Sequence, residues 1–450
     1  MTHHRSAWRN RWTFMLATAG SAIGLGNIWK LPYMIGVNGG SAFVLVFIGC
    51  IFFVGIPLMM TEILLGRRAQ KNPLNGIETL AIEANASRHW KYLGGMGMIT
   101  GLLILSFYSV IGGWVLSFIG AAASGNFVGM DGTQSTANFN QLLASPLTLL
   151  FWHTVFMIMT MGVVARGVNS GLEKANNILI PALFAILLIL LGYSMSVGDM
   201  SASFRFMFSP DFSKITPVAV LSALGHAFFS LSLGMGSVMV YGSYLQRDVS
   251  IARATIYIAL ADTLLGLLIG LAIYALVFAN QLAPNAGPGL IFQTLPIAFG
   301  QMPSGSLIAT LFFTLVAFAA WTSAISLVEP TIAWVVENTE ISRKVATTIL
   351  GLIIWLIGIS VVFSFNEWQN VTIIFGLNIF DTLDKLTSTI LLPLGGLLIA
   401  IFAGYFMKNS HVQEELNLHQ WSFKVWVLMN NVIAPIGIIG VFLYLFKIIQ

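Results

Sequence analysis

The 450-residue chain is short of what a water-soluble enzyme is built from. Only 8% of its residues are charged, against about 25% in soluble globular domains, so most of its surface must meet lipid rather than water. It has a single cysteine, Cys50, inside an apolar run, which excludes a disulfide framework and a thiolate metal site. Its seven histidines are scattered, without a HExxH motif or a Cys/His ligand spacing. No P-loop and no Gly-x-Ser-x-Gly elbow is present, so hydrolytic chemistry and ATP-driven pumping have no sequence machinery. The basic N-terminus is not followed by a short apolar segment with a small-residue cleavage site, so no cleaved signal peptide is expected.

What the chain does have is hydrophobic length. Hydrophobic residues make up 57% of it, in runs near or above the ~20 residues that cross a bilayer as a helix. Eleven spans are predicted: 12–36, 41–66, 92–123, 147–165, 173–195, 217–244, 252–279, 306–336, 344–364, 378–406 and 423–447. With the N-terminus in the cytoplasm, 16 of the 21 Lys and Arg residues fall inside and three outside. That bias fixes the orientation, and an odd number of spans puts the C-terminus outside. The loops are too short for a catalytic domain. Residues 124–146, 196–216 and 280–305 are rich in Gly, Ser, Asn and Pro and read as outer caps on a single domain, 1–450.

Ionisable residues at membrane depth are costly and point to function. Glu62, Asp262 and Glu329 are embedded in apolar runs. The first span contains "GSAIGLGNIWKLP", residues 20–32, with glycines at 20, 24 and 26. A small-xxx-small pattern by itself only allows close helix packing. The sixth span, however, carries a matching weak point in "AFFSLSLGMGSVMVYGSY", residues 227–244. Glycine-interrupted spans at corresponding positions of two halves mark the central site of a secondary transporter. There the unwound backbone meets ions and substrate instead of lipid. The repeats are then 12–195 and 217–406, with 423–447 an additional C-terminal helix.

These stretches, with "NGGSAF", "PLMMTEILLGR", "LSFYSVIGGW" and "FAAWTSAI" in order along the whole chain, resemble the neurotransmitter:sodium symporters, specifically the bacterial LeuT-type amino-acid transporters. The resemblance implies an all-α integral membrane fold of 5+5 inverted repeats with broken spans 1 and 6. It implies two sodium sites. The first uses Ala22, Asn27, Ser230 and Asp262 with the substrate carboxylate; the second uses Gly20, Ile23, Ala319, Thr322 and Ser323. The carboxylate would meet backbone N–H groups near Leu25 and Gly26 and the hydroxyl of Tyr108. Ala22, Ile104, Phe229, Ser232, Met235, Ser323 and Leu327 would complete the pocket. Arg5, Trp8, Tyr244 and Glu337 match the family's cytoplasmic latch, and Lys30 with Asp384 its outer ion-pair gate. Bland alternatives stand beside these roles. Thr322 and Ser323 can bond back to their own helix, and Lys30 can snorkel to the interface.

Four positions depart from the LeuT-type pattern. Asp262 replaces a sodium-binding amide, and Gly266 stands where chloride-independent LeuT has a carboxylate and chloride-dependent relatives a serine. The expectation is that Asp262 supplies the compensating charge and chloride is not required. His226 replaces a glutamine one turn before Ser230; it is either a core histidine or a pH-sensing neighbour of Asp262. Lys385 follows Asp384 and can compete with Lys30 for its carboxylate. The apolar pocket predicts a hydrophobic or aromatic L-amino acid, and Met235 between two glycines is an adaptable wall. The expected activity is sodium-coupled import by alternating access across a bacterial inner membrane, by a monomer or weak dimer with no nucleic-acid partner. A proton-coupled permease of the same architecture and a non-transporting amino-acid sensor remain the alternatives.

Overall fold

In the computed structural model, residues 8–209, 211–287, 289–374 and 376–445 are described. Among them the secondary structure is helical throughout. This is the expected solution in lipid, where every backbone polar group must be satisfied within its own segment. Among the described residues nine helices are long and apolar enough to cross a bilayer: Ser41–Ala69, Arg88–Ala123, Pro146–Val164, Val168–Val197, Ile251–Ala279, Gly305–Asn338, Arg343–Phe363, Ile379–Phe406 and Gln420–Leu445. They correspond to nine of the eleven expected spans, and the other two are interrupted. The segments between spans are more ordered than their composition suggests. Gly132–Leu143 is a helix closed by a capping box between Asp131 and Gln134, and Met200–Phe208 and Leu295–Gln301 are further short helices.

The first span starts at Arg11, capped by Asn10, whose side-chain oxygen accepts the Thr13 N–H at 3.0 Å. It runs as Arg11–Ala22 and stops at Ile23, which has extended backbone (ψ 94°). It resumes in a widened turn, Gly26–Lys30, and continues as Leu31–Val37. The sixth span runs as Pro217–Ser230, breaks, and resumes as Ser237–Gly242. Its break requires glycine: Gly234 (φ 78°) lies so close to the next layer that a Cβ would sit 2.5 Å from the Leu392 carbonyl oxygen. Glu62, fully buried on the second span, accepts the freed Gly234 N–H at 2.6 Å. A buried carboxylate thus supplies the bond the helix gave up.

The long helices Arg88–Ala123 and Gly305–Asn338 pack along each other beside the two breaks. A Cβ at Gly101 would sit 2.7 Å from the Leu327 carbonyl oxygen. The small residue therefore sets how near the two helices can come. Four elements converge: two broken helices and two continuous ones.

Candidate functional site

At the level of the breaks these four elements enclose a small cavity of about 20 Å³, room for about one water, so its walls must part to admit a larger ligand. Ala22, Gly26, Ile104, Tyr108, Phe229, Ser232, Met235, Ser323 and Leu327 all line it, together with Ser21 and Gly24. Leu25 borders it through its backbone, whose N–H donates to the Tyr108 hydroxyl oxygen at 3.0 Å. A Cβ at Gly24 would sit 2.8 Å from that oxygen. Residue 24 must therefore be small for the polar end of the cavity to exist. The other walls are carbon: Ile104, Phe229, Met235 and Leu327. A ligand with a hydrogen-bonding head and an apolar body matches this division.

Beside the polar end, Asn27, Ser230 and Asp262 form a buried cluster drawn from three helices. The Asn27 side-chain amide donates to the Asp262 carboxylate. The Ser230 Oγ lies 2.6 Å from both Asn27 Oδ1 and Asp262 Oδ2. All three residues are at most 1% exposed. Among the described residues no Lys, Arg or His forms an ion pair with Asp262. A buried carboxylate supported only by neutral donors is expensive unless a cation joins it. The oxygens available are hard ligands of the kind a sodium ion takes, and Ala22 is at the adjoining cavity wall.

On the other side of the first break, the Ser323 Oγ lies 3.2 Å from the Gly20 carbonyl oxygen and 3.3 Å from that of Ile23. It also donates to Ser21 at 3.0 Å. Ser323 thus reaches across to the backbone of the broken helix. Thr322 instead bonds within its own helix, to the Ala319 carbonyl at 3.0 Å and that of Phe318 at 3.1 Å.

Both faces of the cavity are closed. On one side, Lys30 Nζ lies 2.8 Å from Asp384 Oδ1 and 5.0 Å above the centre of the Phe229 ring. Lys30 therefore caps a wall of the cavity instead of snorkelling, and the exposed Lys385 takes no part in the bond to Asp384. On the other side, Trp8 is 1% exposed and its indole N–H donates to the Tyr241 carbonyl at 3.0 Å. Its backbone N–H donates to Tyr244 at 3.2 Å. The Tyr244 hydroxyl donates to Glu329 at 3.1 Å, and Arg343 grips the same carboxylate with two nitrogens. Glu337 accepts from the backbone and side chain of Asn72 at 3.0 and 2.6 Å. Arg5 lies outside the described residues.

Two further residues have settings that the sequence does not reveal. Ser21 is a hub: its carbonyl accepts from Ser232 at 2.9 Å and from Ser323, and its hydroxyl donates to Ser326 at 2.7 Å. His226 packs against the Phe47 ring, with centroids 5.2 Å apart, and neither ring nitrogen has a hydrogen-bond partner among the described residues.

The family model for the sodium:neurotransmitter symporter family matches residues 5–141 and 133–450. An uncharacterized sodium-dependent transporter of Bacillus subtilis, YhdH, is 39% identical over 447 residues, covering 98% of each chain. An uncharacterized sodium-dependent transporter of Haemophilus influenzae is 34% identical over 448 residues, again covering 98% of each. The crystal structure of MhsT in complex with L-phenylalanine superimposes with a TM-score of 0.91 at 42% identity, covering 98% of this chain and 99% of that one.

Proposed function

Because the chain belongs to the sodium:neurotransmitter symporter family, whose fold is that of secondary transporters and not of enzymes, we propose that it imports hydrophobic and aromatic L-amino acids together with sodium. The observation that carries this reading is the cavity at the two helix breaks. Its polar end is the Tyr108 hydroxyl and the Leu25 backbone, and its body is apolar. The α-carboxylate belongs at Tyr108 and the start of the outer half of the first span, where helix N-terminal N–H groups favour an anion. The side chain extends among Ile104, Phe229, Met235 and Leu327. The phenylalanine bound by MhsT supports an occupant of this chemistry.

Two sodium ions travel with it. One is held by Ala22, Asn27, Ser230 and Asp262 with the substrate carboxylate. The other is held by the Gly20, Ile23 and Ala319 carbonyls with Thr322 and Ser323; taking it up requires Thr322 to turn from its own helix. Asp262 brings the negative charge that makes chloride unnecessary. Access alternates between the Lys30–Asp384 closure and the closure around Trp8, Tyr244 and Glu337, to which Arg5 contributes. The chain works as a monomer or weak dimer in a bacterial inner membrane, with its N-terminus in the cytoplasm and its C-terminus outside.

The experiment is uptake of labelled L-phenylalanine, L-leucine and L-tryptophan into proteoliposomes under an inward sodium gradient, with potassium as the control. Accumulation that needs sodium is expected. Equal accumulation driven by protons without sodium would overturn both ion sites, and binding without uptake would make the protein a sensor.

A further inference from the structure

A second cavity, far from the ligand site, opens on the outer face of the bundle. It is a groove of about 520 Å³ between Pro146–Val164 and Arg343–Phe363. Its walls are Met157, Ile158, Met161 and Leu352, and Gly162 and Gly351 leave its floor low. The few polar groups that border it are already engaged. The Trp355 indole N–H donates to Thr154 at 2.9 Å, and the Thr347 and Thr348 hydroxyls bond to their own helix at 2.8 and 3.0 Å. The groove therefore offers carbon to its occupant, as a hydrocarbon chain requires.

One end of the groove is different. Ala165 and Thr347 end its lining, and just beyond them stand Arg166 and Lys344, both exposed. Neither pairs with a carboxylate among the described residues. The neighbouring Arg343 is committed elsewhere: it holds Glu329 and donates to the Val164 carbonyl at 2.8 Å, which ties the two helix ends together. An apolar slot of fixed width thus ends at two unneutralised cations, at the end of the bundle where Lys and Arg residues gather.

We infer that this groove holds an acyl chain of an anionic glycerophospholipid whose phosphate faces Arg166 and Lys344. Basic side chains at a membrane surface attract anionic headgroups, and the slot beside them takes the tail. A second copy of this chain fits worse. A two-fold contact presents the same patch from both partners and would set these cations against their own copies.

The test is native mass spectrometry of the full-length protein after exchange into an equimolar mixture of palmitoyl-oleoyl phosphatidylglycerol and phosphatidylcholine. One phosphatidylglycerol per chain is expected, preferred by about thirtyfold, the equivalent of about 1 kcal/mol from each basic side chain. Arg166→Gln combined with Lys344→Gln should bring the preference close to one. Gly162→Phe should expel both lipids by filling the slot. A Cβ at Gly162 meets no atom within 4 Å, so the backbone leaves room for the new side chain; an unchanged melting temperature checks that the variant keeps the fold, and it then decides the matter even if the charge variant does not. Equal retention of the two lipids by the wild type, phosphatidylglycerol retained by Gly162→Phe, or a lipid-free dimer that Gly162→Phe abolishes would each overturn the assignment.

Discussion

Asn27 and Asp262, 235 positions apart in the chain, are joined by a buried hydrogen bond from the amide nitrogen to the carboxylate. The bond crosses from the second half of a broken helix to a continuous one. It holds a carboxyl group next to the backbone that the break exposes. Asp262→Asn keeps the shape and removes the charge, so the site should lose attraction for a cation but not its packing. We expect half-maximal sodium activation to rise at least tenfold, the lower end of the ~1.5–3 kcal/mol typical of a hydrogen bond to a charged group. Wild-type uptake should be unchanged when gluconate replaces chloride. Uptake that collapses in gluconate would remove Asp262 from the role of compensating charge.

Tyr108 offers its hydroxyl both to the Leu25 N–H and to the cavity. Tyr108→Phe removes the acceptor and strands a buried donor, which costs about 1–3 kcal/mol. Binding of L-phenylalanine should weaken at least tenfold, with the sodium dependence of the remaining binding retained. Equilibrium binding to detergent-solubilised protein reads this directly. Affinity within twofold of wild type would place the carboxylate elsewhere.

Gly24 makes the complementary case. A methyl at this position enters the space of the Ser323 hydroxyl first and of the Tyr108 hydroxyl second, the ends of two side chains that can shift. Gly24→Ala should therefore fold and melt close to the wild type but bind L-phenylalanine more weakly. A variant that binds normally would show that the polar end is roomier than its geometry.

How far the sequence speaks depends on the signal. Continuous spans are legible because some twenty apolar residues have few alternative meanings, and their ends fall within a few residues of those in the structure. The break in the sixth span is legible because Gly234 and Gly236, with φ of 78° and 77°, use a conformation other residues avoid. The cavity lining is legible only through family resemblance. Phe229, Met235 and Leu327 are ordinary apolar residues, and no periodicity separates them from core. Gly132–Leu143 is hidden by loop-like composition, although Asp131 and Gln134 already spell a capping box. The grip of Arg343 on Glu329 is not legible, because it depends on how two helices fold back on each other. The same holds for Ser21, whose role as a hub lies mostly in its carbonyl.

Away from the cavity, Arg68 binds Glu83 through two nitrogens, and His411 adds a contact at 3.1 Å. The hydrogen bond from Arg68 holds the Glu83 carboxyl below its usual range, helped by the charges of Arg68, His411 and Lys408. A carboxylate with a depressed value stabilises the fold above its unfolded pKa and loses that effect as pH falls through the folded one. Glu83→Gln should lower the melting temperature slightly at neutral pH, because a side chain 34% exposed is well screened. The gap to the wild type should close below the ordinary glutamate range. A gap that widens on acidification would reverse the sign of this linkage.

Lys30 and Asp384, the outer gate in the proposed reading, pair while remaining only partly shielded, with side chains 11% and 27% exposed. Such a pair is worth about 1 kcal/mol, enough to bias a gate and little enough for thermal opening. Asp384→Asn leaves the Lys30 ammonium buried without its countercharge, so bound L-phenylalanine should dissociate about fivefold faster. Lys30→Met adds to this the loss of its position over Phe229, worth about 0.5–1 kcal/mol. Because the two groups serve one contact, the double variant should dissociate more slowly than the product of the single effects. Dissociation rates of labelled L-phenylalanine measured for all four proteins give the coupling. Strictly multiplicative rates would mean that the two side chains do not act together to hold the gate.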